Sequence, residues 1–484
     1  MNSFRGSKKM IRYEKIFYVL GILFFIFSGL ALIPIIVDCC LGNDFPTEFV
    51  VDSIFSCFLG GVLFFSGRFF EIQEPNAREK ILIILISWIV LPILAGLPFF
   101  LSSLQMSFTD SIFEAILLLT TTGSGAIYDT RSLSEGFLLW RSLLQLFGGV
   151  SFIASFVCVF PHLKSIYAPI FEVSGRYSFL GQVKAILLIY LALAFVSTFL
   201  FAGTGMSALD SLCYSFSALS TGGAIPDNTF DISGISLRVS WILPILMLIG
   251  GCPVAFVTGL FSEGVSAFKN RQFICYLCLV FLLVLLLFTQ MSFPTTSSVL
   301  ENLKRSFFLA ISSITTTGVG LNASEAPDSF ANALLYVTNF IGGCSGSCSG
   351  GIKIFRLMVM FLLIKSYLMR IVRTNAVYVP TYAGKRLEEA DVTGLFSYFI
   401  CYATIAVVFS ITLSFFEMEL GKSFGAVVTC MNNNGPFFDL HRATALEMAN
   451  LGVVSKIILT AAMITGRIDF IPLFMVMLRP FWKK

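Results

Sequence analysis

The chain has 484 residues, 56% of them hydrophobic and 12% charged, with a mean hydropathy of +0.87. A soluble globular domain carries about twice that charged fraction, and several apolar runs exceed the roughly 20 residues needed to cross a bilayer, so a soluble fold is excluded in favour of a polytopic membrane protein. The formal net charge of +4 is small and mostly loop-borne, which gives nucleic acid nothing to bind.

In chain order, the first apolar run, 16–37, is long enough to stay as a membrane helix, and no A-x-A site follows it as in a cleaved signal peptide. With 49–67 it makes a leading hairpin. The tail before it carries Arg5, Lys8, Lys9, Arg12 and Lys15, and the loop after it Asp38, Asp44 and Glu48. Positive-inside logic then places the N-terminus in the cytoplasm. Further basic clusters fall at 68–80, 162–184, 269–271, 365–386 and 479–484. Outward connections hold Asp110, Asp129, Asp210, Asp227, Asp231, Glu325 and Asp328, with Lys304, Arg305 and Lys456 as exceptions.

After the hairpin one plan recurs four times: a long apolar helix, a short apolar segment, a hydroxyl- or amide-rich stretch closed by glycine, and another long helix. The long helices are expected at 81–102 and 136–160, 185–203 and 238–261, 272–291 and 331–364, and 392–416 and 446–478. The short segments, 110–121, 210–220, 306–316 and 422–432, are too short to span and suit re-entrant helices. The closing glycines are read as Gly123, Gly222, Gly318 and Gly435, separated by 99, 96 and 117 residues. The expected divisions are therefore 1–68 (tail and hairpin), then repeats at 79–165, 180–270, 271–373 and 391–484. The fold class is an all-α polytopic membrane protein with four M1–P-loop–M2 repeats arranged pseudo-fourfold around one ion pore.

Non-helical backbone at membrane depth is tolerated only when buried in protein or lining a wet cavity. Four such stretches around one axis can present carbonyl and hydroxyl oxygens in place of the water around a monovalent cation, as potassium-channel filters do. The residues proposed to do this are Thr121, Thr122, Gly123, Ser220, Thr221, Gly222, Thr316, Thr317, Gly318, Asn433, Asn434 and Gly435. The bland alternative is helix capping or small-residue packing between membrane helices.

TTTG, STGG, TTTG and NNNGP, with WRSLLQLFGG at 140–149, GGCSGSCSGGIKIFR at 342–356, MNNNGPF at 431–437 and GRID at 466–469, resemble the Trk/Ktr/HKT superfamily of potassium transporters. The TrkH branch is the most similar, over essentially the whole chain. Departures are Ser124, where that family often has alanine, and Cys344 and Cys348 in the glycine-rich stretch.

The resemblance implies potassium uptake across a bacterial inner membrane, with K⁺ as the bound and transported ion and no other cofactor. It further implies a homodimer and a cytosolic ring of nucleotide-binding, TrkA-like regulatory subunits. Coupling to Na⁺ or H⁺ as symport stays open. An intact Gly123 implies K⁺ over Na⁺. The chain itself carries no GxGxxG after a strand pattern and no GxxxxGK[ST], so nucleotide sensing would belong to the partner.

Two gate elements follow. GGCSGSCSGG, with Gly342, Gly343, Gly346, Gly350 and Gly351, cannot continue as a stable helix; the resemblance makes it an intramembrane loop below the filter, and a plain kink is the alternative. Arg467 lies eleven residues after Lys456 and twelve before Arg479, hence near mid-membrane, where a charge needs a cavity or a partner. The resemblance makes it a barrier to cations; pairing with Asp469 is the local alternative. Lys353 and Arg356 after the break either repel cations, meet a cytosolic partner or anchor the inner end.

Two other function classes would leave their own marks in the sequence. A membrane-embedded enzyme needs converging nucleophiles, acids or metal ligands, and no HExxH, GxSxG or aspartate pair occurs. A secondary transporter of an organic solute would carry its breaks in inverted pairs. Cys275 and Cys278 form C-x-x-C inside an apolar run and read as buried small hydrophobes, and the two histidines, His162 and His441, are too far apart for a metal centre.

Overall fold

The computed structural model describes residues 11–67, 75–123, 127, 130–159, 179–226, 237–262, 264–290, 299–319, 329–373, 379–382, 385–387, 389–435 and 450–482. Expectations at Arg5, Lys8, Lys9, Ser124, Asp129, His162, Asp227, Asp231, Glu325, Asp328 and His441 lie outside the described residues, as does most of the 162–184 basic cluster. Among those described, seven helices are long and apolar enough to cross a membrane, or nine if each of two bent pairs is one span.

Helices α1 (Tyr13–Leu41) and α2 (Thr47–Gly67) form the leading hairpin. A Cβ on Gly21 would come within 2.6 Å of the Phe64 backbone nitrogen. Small residues of this kind let membrane helices pack where lipid supplies no hydrophobic drive between them. Ser28 Oγ donates to the Ser53 carbonyl at 2.8 Å across the same seam. Phe27 and Phe49 meet the Trp140 ring edge-on, which seals the hairpin to the next unit.

That unit is α3 (Ala77–Leu101), α4 (Phe108–Leu119) and α5 (Glu135–Val159). The second is α6 (Phe179–Ala202), α7 (Ala208–Leu219), α8 (Leu237–Gly250) and α9 (Val254–Ser262). The third is α10 (Arg271–Gln290), α11 (Val299–Ile314), α12 (Ser329–Thr338) and α13 (Ile354–Val372). A two-residue antiparallel hairpin, Thr381–Tyr382 with Lys385–Arg386, precedes the fourth. The fourth holds α14 (Glu389–Phe416), α15 (Leu420–Met431), α16 (Val453–Ile468) and α17 (Phe470–Met477), followed by the single turn α18 (Arg479–Trp482).

The four short helices start and stop for local reasons. Ser107 and Ser207 accept hydrogen bonds from the backbone of Asp110 and Asp210 at 3.2 and 3.0 Å, so S-x-x-D caps α4 and α7 alike. Helix α11 starts at Val299, earlier than the expected 306, which puts Lys304 and Arg305 inside it. Arg305 is buried and pairs with Glu301 at 3.3 Å, while Lys456 pairs with Asp110. Two of the basic residues that stood against the charge asymmetry are thus held in ion pairs.

The second and fourth closing helices, expected as single runs, are broken. α8 and α9 meet at 102° around Gly251–Pro253, and α16 and α17 at 104° around Asp469. Proline removes a backbone donor at the first break, and Asp469 takes a left-handed φ of 73° at the second. Polar side chains crowd the interior, including Ser215, Thr317, Asn434 and Arg467, while Phe195, Phe281 and Ile400 face outward. That inverted distribution is what a lipid surround selects.

Candidate functional site

All four short helices end in the same hydrogen-bond figure. The Thr121 amide donates to Leu118 and that of Thr122 to Leu117, at 3.0 and 2.9 Å. Thr221 and Gly222, Thr316 and Thr317, and Asn433 and Asn434 repeat the pattern at 2.8–3.2 Å. This is the Schellman ending, whose second residue needs the left-handed region and is usually glycine. Here Thr121, Thr221, Thr316 and Asn433 occupy it, at φ of 55°, 52°, 56° and 48°. Three β-branched residues in that region cost about 1–3 kcal/mol each, and such strain persists where the surroundings over-determine it.

The repeated figure corrects the register of the second stretch. Gly223, at φ 73°, stands where Gly123 (104°) and Gly318 (72°) stand, and Gly435 follows its own left-handed residue at the same distance. Gly222 is equivalent to Thr122, Thr317 and Asn434, while Ser220 is the last helical cap, equivalent to Thr120 and Asn432. Gly222 is glycine for another reason: a Cβ there would strike Gln145 Oε1.

The closing glycines bring the four stretches together. A Cβ on Gly123 would lie 2.9 Å from the Gly222 carbonyl, 3.2 Å from that of Thr317 and 3.4 Å from Gly435 Cα. One on Gly223 would collide with the Thr317 carbonyl, and one on Gly318 with the Gly435 backbone. Backbone from all four stretches thus packs together at the closing glycines, next to the partial negative ends of the short helices.

The WRSLLQLFGG segment on α5 is the brace of this centre. Trp140 Nε1 donates to Ala95 at 3.3 Å, and Arg141 pairs with buried Glu114 of α4 at 3.1 Å. Gln145 clamps Ala224 just beyond Gly223, donating to its carbonyl at 2.8 Å and accepting from its amide at 3.1 Å. Gly148 leaves room for the Leu119 carbonyl. Asn339 plays the matching part for the fourth stretch, donating to Thr429 and accepting from Asn434 at 3.1 and 2.5 Å. Gln145 and Asn339 were missed as functional residues. Gln145 lay within the WRSLLQLFGG segment without a role of its own, and Asn339, a lone amide in an apolar run, carries no sequence signal beyond its polarity.

The segment between α12 and α13 is ordered and folded back on itself. The Gly342 amide donates to Ile352 at 3.0 Å and that of Ile352 to Phe340 at 3.1 Å, so the ends run alongside one another. The middle is pinned to the α8–α9 break: Cys344 and Cys348 amides donate to Gly251 and Gly250 at 3.1 and 3.2 Å, and Val254 donates to Gly346 at 3.0 Å. The Gly350 amide donates to the Thr316 hydroxyl at 2.7 Å, and a Cβ there would collide with the Asn432 carbonyl. The loop therefore touches the third and fourth stretches directly, and Cys348 Sγ lies 3.1 Å from where a Gly149 Cβ would sit.

Arg467 reaches the same loop, donating from Nη1 to the Cys348 carbonyl at 2.9 Å, and Lys353 Nζ donates to the Ser349 carbonyl. Arg467 does not take Asp469 as its partner; Asp469 pairs with Arg356 and caps α17 by accepting from the Phe470 amide at 2.8 Å. Lys353 and Arg356 are buried beside the loop, at 4% and 3% exposure, and so are not anchors at a membrane surface. Every residue expected in the filter and gate is described and belongs to one contiguous assembly. Cys344 and Cys348 are free thiols, while Cys275 is half-buried and Cys278 exposed, so the C-x-x-C is not buried as expected: the apolar helix α10 that carries it packs only one face inward. No cluster of His, Cys, Asp or Glu suited to a metal occurs among the described residues.

The profile of a family described as TrkH, cation transport protein, matches residues 46–224 and 305–480. The Trk system potassium uptake protein TrkH of Escherichia coli K12 is 29% identical over 98% of this chain and 100% of its own length. The Trk system potassium uptake protein TrkI of Halomonas elongata is 28% identical over 82% of this chain and 83% of its own. The crystal structure of the potassium transporter TrkH from Vibrio parahaemolyticus superposes with a TM-score of 0.88 at 26% identity, covering 97% of this chain and all of the other.

Proposed function

The chain belongs to the TrkH family of cation transport proteins, and on that premise we propose that it takes up potassium ions across a bacterial inner membrane. The observation that carries the reading is the fourfold recurrence of a Schellman-ended short helix whose closing glycine meets the others at one centre. Backbone carbonyls from Thr121–Gly123, Thr221–Gly223, Thr316–Gly318 and Asn433–Gly435 replace part of the ion's hydration shell. Ser220 supports the second stretch as a helix cap. Helix C-termini aimed at the centre favour a cation there.

The glycine-rich loop and Arg467 form the gate beneath this filter. Opening breaks the Gly350–Thr316, Arg467–Cys348 and Lys353–Ser349 hydrogen bonds and moves two charges off the ion's path. Bonds to charged groups contribute about 1.5–3 kcal/mol each, so the closed state is stable until a partner offsets them. The chain works as a homodimer with its N-terminus in the cytoplasm, regulated by a nucleotide-binding ring on that side.

The test is rubidium tracer uptake into proteoliposomes holding the purified chain, with K⁺ and Na⁺ as competitors and Gly318→Ser alongside. Competition by K⁺ but not Na⁺, lost in the variant, is the expected result. Absence of flux even in Arg467→Ala with the regulatory partner present would overturn the reading.

A further inference from the structure

The cations beside the glycine-rich loop are not equally satisfied. Arg356 has Asp469 for a counter-charge and lies over the Tyr398 ring, 3.7 Å from its centroid. Among the described residues, Arg467 and Lys353 have one loop carbonyl each and share the face of one aromatic residue, 4.2 and 4.9 Å from the Phe152 centroid. Nε and Nη2 of Arg467 donate to no atom of the described residues, although the residue is only 1% exposed.

All three cations line one cavity of about 30 Å³ between the loop, α5 and the α16–α17 break. Among the described residues lining it the one acid is Asp469, which Arg356 already holds. Among the described lining residues, three formal positive charges therefore face one negative charge. A ring face and two carbonyls offset part of that field, but a guanidinium has five donors in a fixed fork, and a buried charge without a counter-charge is what protein interiors tolerate least.

We propose that this cavity is a binding site for one small monovalent anion of halide size, chloride in the first instance, held by Arg467 and Lys353. A cavity of about 30 Å³ has room for a single ion of that size beside the two cations. The anion completes the donor set that Arg467 leaves open and balances the charge that Lys353 adds. Nothing in this depends on the chain's carrying potassium, because binding and flux are read separately.

The experiment is equilibrium binding of radioactive chloride to the purified full-length chain, at fixed K⁺ and ionic strength with gluconate replacing chloride. One saturable site per chain is expected, displaced by bromide and not by gluconate. Arg467→Gln and Lys353→Gln should each weaken it at least tenfold, while Lys365→Gln, on the exposed face of α13, should leave it unchanged. Absence of saturable binding to the unsubstituted chain overturns the proposal whether or not the variants fold. So does binding that neither variant at the cavity alters.

Discussion

Replacing Thr316 by valine isolates the link between filter and loop. The Thr316 hydroxyl accepts the Gly350 amide at 2.7 Å, and both groups are buried. Valine keeps the volume and the β-branching, so the left-handed strain at φ 56° is unchanged, and the backbone carbonyls of the stretch stay where they are. The Gly350 amide loses its acceptor. The valine methyl fills the place the hydroxyl held and offers no acceptor in return. An unsatisfied buried donor costs about 1–3 kcal/mol, and the cost falls only on the state with the loop in place. The closed-to-open balance therefore moves by roughly 5- to 150-fold. The assay is rubidium uptake into proteoliposomes without the regulatory partner, where Thr316→Val should raise flux about tenfold, the effect of 1.4 kcal/mol, with K⁺-over-Na⁺ competition preserved. Unchanged flux from a correctly folded variant would refute the loop as the barrier. Flux that rises together with Na⁺ competition would assign the hydroxyl to ion coordination instead.

Gln145→Leu removes both hydrogen bonds to Ala224, leaving a buried amide and carbonyl without partners; a loss of about 1–3 kcal/mol in stability and a weakened preference for K⁺ are expected from denaturant titration and rubidium competition. Arg356→Met strands Asp469 in the interior and should cost about 3–5 kcal/mol, much of it recovered in Arg356→Met with Asp469→Asn, as a double-mutant cycle on thermal unfolding will measure. Burial raises the Asp110 carboxyl, but hydrogen bonds from Lys456 and Ser107 outweigh it and hold the group below its ordinary range. Its folded-state value is depressed, so the stabilisation is present above the ordinary carboxylate value and is lost as pH falls through the lowered one. The melting difference between the unsubstituted chain and Lys456→Met should thus be constant near neutrality and shrink below about pH 4.

Much of the architecture was legible because it rests on local rules. Length and apolarity separate spanning from re-entrant helices, whereas the caps at Ser107 and Ser207 start two of the short ones at Phe108 and Ala208, slightly before the expected 110 and 210. The recurrence of hydroxyl or amide residues before glycine marks all four ends. The second stretch was misread by one residue for an equally local reason: Ser-Thr-Gly-Gly offers two glycines, and only the backbone tells which follows the left-handed position. The bends at Gly251–Pro253 and Asp469 were hidden inside apolar runs that composition reads as continuous.

By itself, then, the amino-acid order determined the class and where the short helices and their glycine-closed ends fall, because spacing, hydropathy and turn chemistry act over a few residues at a time. Tertiary structure decided which partner each buried polar group takes. Asp469 goes to Arg356 across 113 positions and Arg467 to the Cys348 carbonyl across 119, rather than to each other two residues apart. The reason is physical: where water is excluded, a charge is satisfied by whichever group packing brings within hydrogen-bond reach, and the sharp turn at Asp469 sends two neighbours in the chain to different partners.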